Sequence, residues 1–570
     1  MINKNNIIEI NNLKDMLEKT GNLYGEKEAY KLRIDKDKYK IYTHKQVRDM
    51  INALGTALID LGLKDKRIAV IGENRFEWEI AYLSVVCGVG TVVPLDKSLP
   101  ENELKSLIER SEVEAIFYSE KYEEKLKKFI WTGTGNLKHL ISMDLKVSSD
   151  GIYSEYELIE KGKRLIEEGN REYLDAKIDS EKMSIMLFTS GTTSASKVVA
   201  LSHKNIVSNL IDIKPALKTT SEDRFLSFLP LHHVFECTVG FLLAYYSGAR
   251  ISFCDGIRYI EDNLKEYEIT FAAFVPAIYE NIYKTILRRL EKQGKLESTF
   301  ERLKDFKDKS WEEKRKEFKE VYEIFGGHSR IFISGAAAIS KEVLENLRTL
   351  GINICQGYGL TETSPVVGIE TEEENKVGSI GKALPSIEVK ISKPNSEGVG
   401  ELVVKGPTVM IGYYRNEEAT KEVLTEDGWF STGDLASIDE EGYIFIKGRK
   451  KSVIVLKNGK NIFPEEMENL VNRIEGVKES FIFGKSNTKD KDDIKIFAKL
   501  VFDREIIKNT YKVEKDDDIH DVLDKKVKEI NKLMPPYKAI RGIYLSENEL
   551  IKTASGKIKR HEEIKTIEEI

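Results

Sequence analysis

Four uninterrupted apolar runs do most to restrict what this chain can fold into: Arg67-Ile68-Ala69-Val70-Ile71-Gly72, Gly90-Thr91-Val92-Val93-Pro94-Leu95, Ala115-Ile116-Phe117-Tyr118 and residues 269–275. A strand with one face in water alternates apolar and polar side chains, whereas a strand covered on both faces does not. Stretches with helical patterning separate the runs. They predict an α/β body of parallel strands with helices on both sides. At 570 residues the chain exceeds what one hydrophobic core supports, so at least two domains are expected.

The texture then changes. Residues 284–323 are densely charged, lack Pro and are rich in helix formers, and they predict an exposed helical insertion. A basic membrane-facing helix is the alternative for that stretch. Ile331-Phe332-Ile333-Ser334-Gly335 resumes the strand pattern, and short β-runs with Gly turns follow at 381–391, 400–404 and 443–446. Lys447-Gly448-Arg449-Lys450-Lys451 precedes a final α+β unit, so the expected division is residues 1–450 and 451–570.

Composition removes several classes of function. A formal net charge of −6 gives no sign of a nucleic-acid partner. Cys87, Cys237, Cys254 and Cys355 are widely spaced and form neither a disulfide framework nor a CxxC metal pair, which suits a reducing cytoplasm. The amino terminus has no signal pattern, and no apolar stretch reaches the ~18 residues of a membrane span. A soluble cytoplasmic protein is expected, with any membrane contact peripheral, at the inner membrane face.

The chemistry concentrates in Thr189-Ser190-Gly191-Thr192-Thr193-Ser194-Ala195-Ser196-Lys197, which follows the strand-like Ile185-Met186-Leu187-Phe188. Hydroxyls, backbone N–H groups and one ammonium can cradle a polyphosphate. The loop is not a Walker A motif, because no Gly-Lys-Ser/Thr closes it. An ordinary Ser/Thr-rich turn is the alternative. Downstream lie Gly357-Tyr358-Gly359-Leu360-Thr361-Glu362, Ser431-Thr432-Gly433-Asp434-Leu435, Gly448-Arg449-Lys450-Lys451 and Thr553-Ala554-Ser555-Gly556-Lys557. Each has a bland reading as well. Glu362 fits the first turn of a helix capped by Thr361, and Asp434 fits a Gly-bounded turn. His233 fits a core histidine, Arg449 a linker charge and Lys557 solvated surface.

In this order the five motifs resemble those of the adenylate-forming superfamily, over nearly the whole chain. Leu229-Pro230-Leu231-His232-His233-Val234-Phe235-Glu236 is most similar to its long-chain fatty acyl-CoA synthetases. The resemblance implies a large domain of αβαβα layered sheets with a small β-rich subdomain, then a small mobile α+β domain. It implies ATP, Mg2+ and coenzyme A, with a fatty acid as substrate. Ser190, Gly191, Thr192, Thr193 and Lys197 would hold the β- and γ-phosphates, and Glu362 with Thr189 the metal. Gly335 and Ala336 would touch the adenine, and Tyr358 would lay its ring on the purine between Gly357 and Gly359, near Thr361. Asp434 would accept from the ribose hydroxyls, with Arg449 beside it. His233 would stand where carboxylate, AMP and thioester meet. Lys557 would reach the acyl carboxylate and α-phosphate, Lys451 would be the hinge, and Gly459 and Lys460 would line the pantetheine tunnel.

Three positions depart from the family pattern: Ser194 and Val198 replace usual glycines and Ser196 a usual proline, which implies a stiffer loop. The implied reaction forms an acyl-adenylate and pyrophosphate, after which CoA displaces AMP, and no cysteine serves as nucleophile. Two rivals stay open: a carboxylate-adenylating enzyme that loads acyl-carrier protein, and a catalytically silent nucleotide-binding scaffold.

Overall fold

The structure is a computed structural model and describes residues 8–189, 197–456, 460–486, 494–513, 515–552 and 558–568. The apolar runs become adjacent parallel strands: Arg67–Ile71 lies between Thr91–Leu95 and Ala115–Tyr118. They occupy the middle of an eight-stranded sheet that continues through Met183–Phe188, Val198–Ser202 and Gly412–Tyr413 on one side and His139–Ser142 and Ile152–Ser154 on the other. The cores explain the unbroken runs. Ile68 and Val70 enter the largest core, while Ala69 and Ile71 enter a separate core on the opposite face.

A second, nine-stranded sheet is ordered Lys382–Ala383, Val366–Ile369, Ile354–Gly359, Ile331–Ser334, Phe271–Phe274, Arg224–Ser227, Arg250–Phe253, Glu28–Asp35, Lys38–Thr43. Phe225, Phe271, Ile331 and Ile333 share the largest core with the first sheet, whereas Leu226, Phe274, Phe332 and Ile354 face a third core behind. Residues of the helices His44–Asp60, Phe76–Ser84 and His203–Leu217 fill the shared core, which yields the expected αβαβα layering.

The charged stretch 284–323 is helical, but it is not simply an exposed insertion. Helices Pro276–Lys292, Leu296–Phe306, Trp311–Glu317 and Lys319–Ile324, with the residues joining them, bury Tyr283, Ile286, Leu290, Leu303, Phe318 and Val321 in the core behind the nine-stranded sheet. Charge on the outward faces masks this apolar stripe in the composition. Among the described residues, no helix is long and apolar enough to cross a membrane.

Glu388–Ser392, Gly400–Lys405, Phe430–Ile438 and Ile444–Arg449 form a four-stranded antiparallel sheet. Beyond it, Val477–Ser486, Ile494–Phe502 and Ile540–Ser546 make a three-stranded sheet. Helices Pro464–Val471, Arg504–Tyr511 and Asp516–Asn531 pack on it around Met467, Val471, Leu500, Leu523 and Val527, a core of its own. The molecule is thus a large body of mixed sheets followed by a smaller C-terminal unit. Arg473 in that unit reaches Ser340 Oγ at 3.1 Å and Glu342 at 3.4 Å on the body.

Candidate active site

Strands Arg224–Ser227, Phe271–Phe274, Ile331–Ser334 and Ile354–Gly359 are parallel and end along one edge of the nine-stranded sheet. His233 follows the first of them, Gly335 and Ala336 follow the third, and Gly357, Tyr358 and Gly359 lie in the fourth. Open α/β sheets bind ligands at this carboxyl edge. The backbone there is closely fitted. A Cβ on Gly335 would lie 2.8 Å from the Phe235 ring, and one on Gly359 would lie 1.9 Å from the Pro365 carbonyl oxygen. At Gly357 the nearest atom would be an ordinary 3.6 Å away. Ala336 adopts φ +68°, a left-handed conformation that side chains other than glycine rarely take. The buried Arg348–Glu370 ion pair at 2.5 Å anchors the start of the fourth strand, because Glu370 also accepts from the Gln356 N–H at 2.8 Å.

Tyr358, Asp434 and Arg449 form one polar group. The Tyr358 hydroxyl donates to Asp434 Oδ2 at 2.5 Å, and Arg449 Nη1 lies 3.1 Å from Asp434 Oδ1. Burial, then the Asp434 carboxylate, push the Tyr358 phenol well above its ordinary pKa, so it stays a donor. Asp434 does not sit in a free turn, and Arg449 is not a linker charge. They are cross-strand partners in the strands Phe430–Ile438 and Ile444–Arg449. The turn-like signal comes from Gly433, whose φ of +72° marks an irregular place in a continuous strand. Arg449 also donates to the Thr432 carbonyl at 3.0 Å, so its guanidinium is aimed back along that strand.

Lys197, Tyr413 and Glu362 form a second group. The Thr189 N–H and hydroxyl both donate to the Lys197 carbonyl, at 3.0 and 3.3 Å, and close the base of the 189–197 loop. Lys197 Nζ stands 4.5 Å from the centre of the Tyr413 ring, and the Tyr413 hydroxyl donates to Glu362 Oε1 at 2.9 Å. Tyr413 is held by pairing with Val199 across the short strand Gly412–Tyr413. Sequence reasoning did not single out Tyr413, since nothing local marks a tyrosine whose importance depends on that pairing. Thr361–Thr363 is a single 3-10 turn, not the start of a longer helix, and the Glu362 carbonyl accepts from the Met410 N–H at 2.8 Å. Val198 opens the strand Val198–Ser202 and is buried in the core of the first sheet, so its side chain has a packing role where glycine is usual.

His233 is half-buried, its ring 4.1 Å from that of His232, and His232 Nε2 lies 3.5 Å from Asp96 just after the strand Thr91–Leu95. The two histidines therefore span from one sheet to the other. Lys451 lies in a short turn, Lys450–Ser452, beside the Lys450–Glu401 ion pair at 2.8 Å. Lys460 is exposed, with its ammonium 4.0 Å from the centre of the Tyr537 ring within the C-terminal unit. Ser190, Gly191, Thr192, Thr193, Gly459 and Lys557 lie outside the described residues, as do Ser194 and Ser196.

The chain belongs to the AMP-binding enzymes: that family's model matches residues 17–414, and the model of the AMP-binding enzyme C-terminal domain matches residues 451–570. It is 30% identical over 488 residues to the human long-chain-fatty-acid–CoA ligase 1, covering 79% of this chain and 68% of that protein. It is 28% identical over 523 residues to a chloroplastic long-chain-fatty-acid–[acyl-carrier-protein] ligase of Arabidopsis thaliana, covering 78% and 71%. The crystal structure of ATP-bound MatB from Rhodopseudomonas palustris superposes with a TM-score of 0.75 at 22% identity, over 98% of this chain and 99% of that one. At that identity the structural likeness speaks for the fold.

Proposed function

We propose that the protein activates a fatty acid with ATP through an acyl-adenylate and transfers the acyl group to coenzyme A, releasing pyrophosphate and then AMP. One observation carries the reading. In an AMP-binding family member, a Tyr–Asp–Arg group suited to a base and a ribose lies four residues along the chain from a Lys–Tyr–Glu group suited to a metal-bound polyphosphate. The similarity to a long-chain-fatty-acid–CoA ligase supports the fatty acid and the thiol acceptor.

Each residue has a definite task. Asp434 accepts from the ribose hydroxyls, Arg449 balances its charge, and Gly335 and Ala336 present backbone to the adenine. Tyr358, its hydroxyl pinned to Asp434, fixes the angle at which its ring meets the purine. The 189–193 loop and Lys197 hold the β- and γ-phosphates. Glu362 and Thr189 are hard oxygen donors of the kind Mg2+ takes, and Tyr413 engages one carboxylate oxygen and leaves the other available. That donor set fits Mg2+, which when bound neutralises phosphate charge. A carboxylate oxygen of the fatty acid attacks the α-phosphorus, pyrophosphate leaves, and Lys557 balances the charge that gathers there. Residues 451–570 then turn about Lys451. Gly459 and Lys460 border the path of the pantetheine, and the thiol attacks the acyl carbonyl, expelling AMP. Free cysteines suit the cytoplasm as the site of this reaction.

The test presents fatty acids of increasing length with MgATP. Exchange of labelled pyrophosphate into ATP should depend on the fatty acid, and AMP release should depend on CoA. A protein that binds ATP yet exchanges no pyrophosphate with any carboxylate would instead be the silent scaffold. A carrier-protein acceptor is the second reading, favoured by the Arabidopsis ligase, and equal assays with CoA and acyl-carrier protein separate the two.

Tyr413 supplies a further prediction. A residue that orients a metal ligand typically contributes about 10–100-fold in metal affinity or activity. Tyr413→Phe keeps the ring under Lys197 but removes the hydrogen bond to Glu362. The Mg2+ concentration for half-maximal exchange should rise by about tenfold or more, with ATP binding in EDTA unaltered. An unchanged Mg2+ titration would mean that Tyr413 does not orient Glu362.

A further inference from the structure

A buried carboxyl lies directly behind the loop that carries His233. Glu236 is 0% exposed and opens the π-helical segment Glu236–Leu242. Its Oε1 accepts from the Ser227 hydroxyl at 2.8 Å, while its buried Oε2 has no hydrogen-bond partner among the described residues. Asn74 grips the same loop from the first sheet's side. Its Nδ2 donates to Ser227 Oγ at 3.0 Å and to the Leu229 carbonyl at 2.6 Å, and its Oδ1 accepts from the Leu231 N–H at 3.2 Å. The chain then closes on itself: the His233 N–H donates to the Pro230 carbonyl and the Cys237 N–H to the His233 carbonyl, each at 3.0 Å. Glu236 and Asn74 therefore tie down Ser227, Leu229 and Leu231 between them, and His233 follows two residues later.

The surroundings are built for this carboxyl. A Cβ on Gly240 would lie 2.5 Å from Glu236 Oε1, so glycine is what makes room for it. Burial pushes Glu236 up to about 8, and the buried Glu79, bonded by the Tyr30 hydroxyl at 2.5 Å, is the nearby second carboxyl. Burying an ionisable group costs stability even when it is hydrogen-bonded, and an apolar side chain of the same size would pack this core at least as well. What the apolar side chain could not do is accept from the Ser227 hydroxyl that Asn74 also holds.

We propose that Glu236 is a positioning residue for adenylation: with Ser227 and Asn74 it clamps the 227–233 loop and sets His233 against the reacting carboxylate and α-phosphate. The proposal rests on the proposed function and on the place the family resemblance implies for His233, where carboxylate, AMP and thioester meet. Displacements near 1 Å at a reacting centre cost up to about 10²-fold, so a clamp of this kind is felt in kcat.

The test is a double-mutant cycle on the full chain, read by fatty-acid-dependent pyrophosphate exchange with kcat, KM for ATP and melting measured together. Glu236→Leu should lower kcat about 10–100-fold with little change in KM. Glu236→Gln, which keeps the shape and a carbonyl acceptor, should restore most of it. Placed in a His233→Ala background, Glu236→Leu should cost less than about threefold more, because it acts through a side chain already gone. Losses that multiply in full would overturn the clamp. His233→Ala with wild-type exchange would overturn the role of His233 instead, so the two failures are distinct. Should Glu236→Leu not fold, Asn74→Ala, at the half-buried end of the clamp, runs through the same cycle with the same expected and overturning results.

Discussion

Glu362→Gln is expected to lower fatty-acid-dependent pyrophosphate exchange by about 10²–10³-fold while the melting temperature stays near that of the parent protein. The substitution removes one hard negative charge and changes almost no volume. A Gln carbonyl can still accept from the Tyr413 hydroxyl, and the Glu362 carbonyl that accepts from the Met410 N–H is untouched. The fold therefore loses little, and what is lost is the anionic donor proposed for Mg2+. Isothermal titration with MgATP, beside exchange kinetics, reads the effect directly. Normal exchange together with normal melting would take Glu362 out of the metal site and leave Tyr413 with no catalytic partner to orient.

How far the site was legible depends on how local its signals are. The strands 67–71, 91–95 and 115–118 declared themselves because being covered on both faces demands apolar side chains at every position, which is a local demand. Gly359 was readable as a flank of the Tyr358 ring, whereas the close fit the structure gives it is against Pro365, six residues away. Asp434 and Arg449 were recognisable as polar groups, but their placement was not. Gly433 makes a strand look like a turn, and the pairing of Phe430–Ile438 with Ile444–Arg449 appears only when the ladder is closed.

Tyr413 and Asn74 were harder still. Tyr413 matters because Gly412–Tyr413 adds to the edge of a sheet whose next strand is Val198–Ser202, more than two hundred residues earlier. Asn74 matters because one sheet leans on a loop of the other. The amphipathic stripe within 284–323 was hidden for a different reason: high charge lowers the mean hydropathy even when one face is continuous apolar surface. For Tyr413 and Asn74 the missing information is a contact between distant segments, which composition and periodicity do not carry.

The same dependence on distant contacts makes alternation of the C-terminal unit the most exposed part of the mechanism. Lys557→Ala is expected to lower acyl-adenylate formation by about 10²–10³-fold, yet to leave thioester formation from supplied acyl-adenylate and CoA within about threefold of the parent. The reasoning is electrostatic. Negative charge gathers on the α-phosphate oxygens as the carboxylate attacks, and a flexible ammonium is most useful at that moment. In the proposed second step AMP departs from a carbonyl carbon, and a different face of the unit would border the thiol. Lys451→Pro should produce the opposite pattern. Proline fixes φ near −65°, which the first turn of a short helical segment such as Lys450–Ser452 tolerates, so the present conformation survives while rotation about that residue is blocked. Pyrophosphate exchange should then persist, and CoA-dependent AMP release should fall. The Arg473 contacts to Ser340 and Glu342 must break in any such rotation, so Arg473→Ala serves as an independent check that ought to change the balance of the two half-reactions without touching the ATP site. If Lys557→Ala and Lys451→Pro each lose both activities in equal proportion, these lysines serve the fold alone, and a single fixed arrangement of the two units must account for both steps.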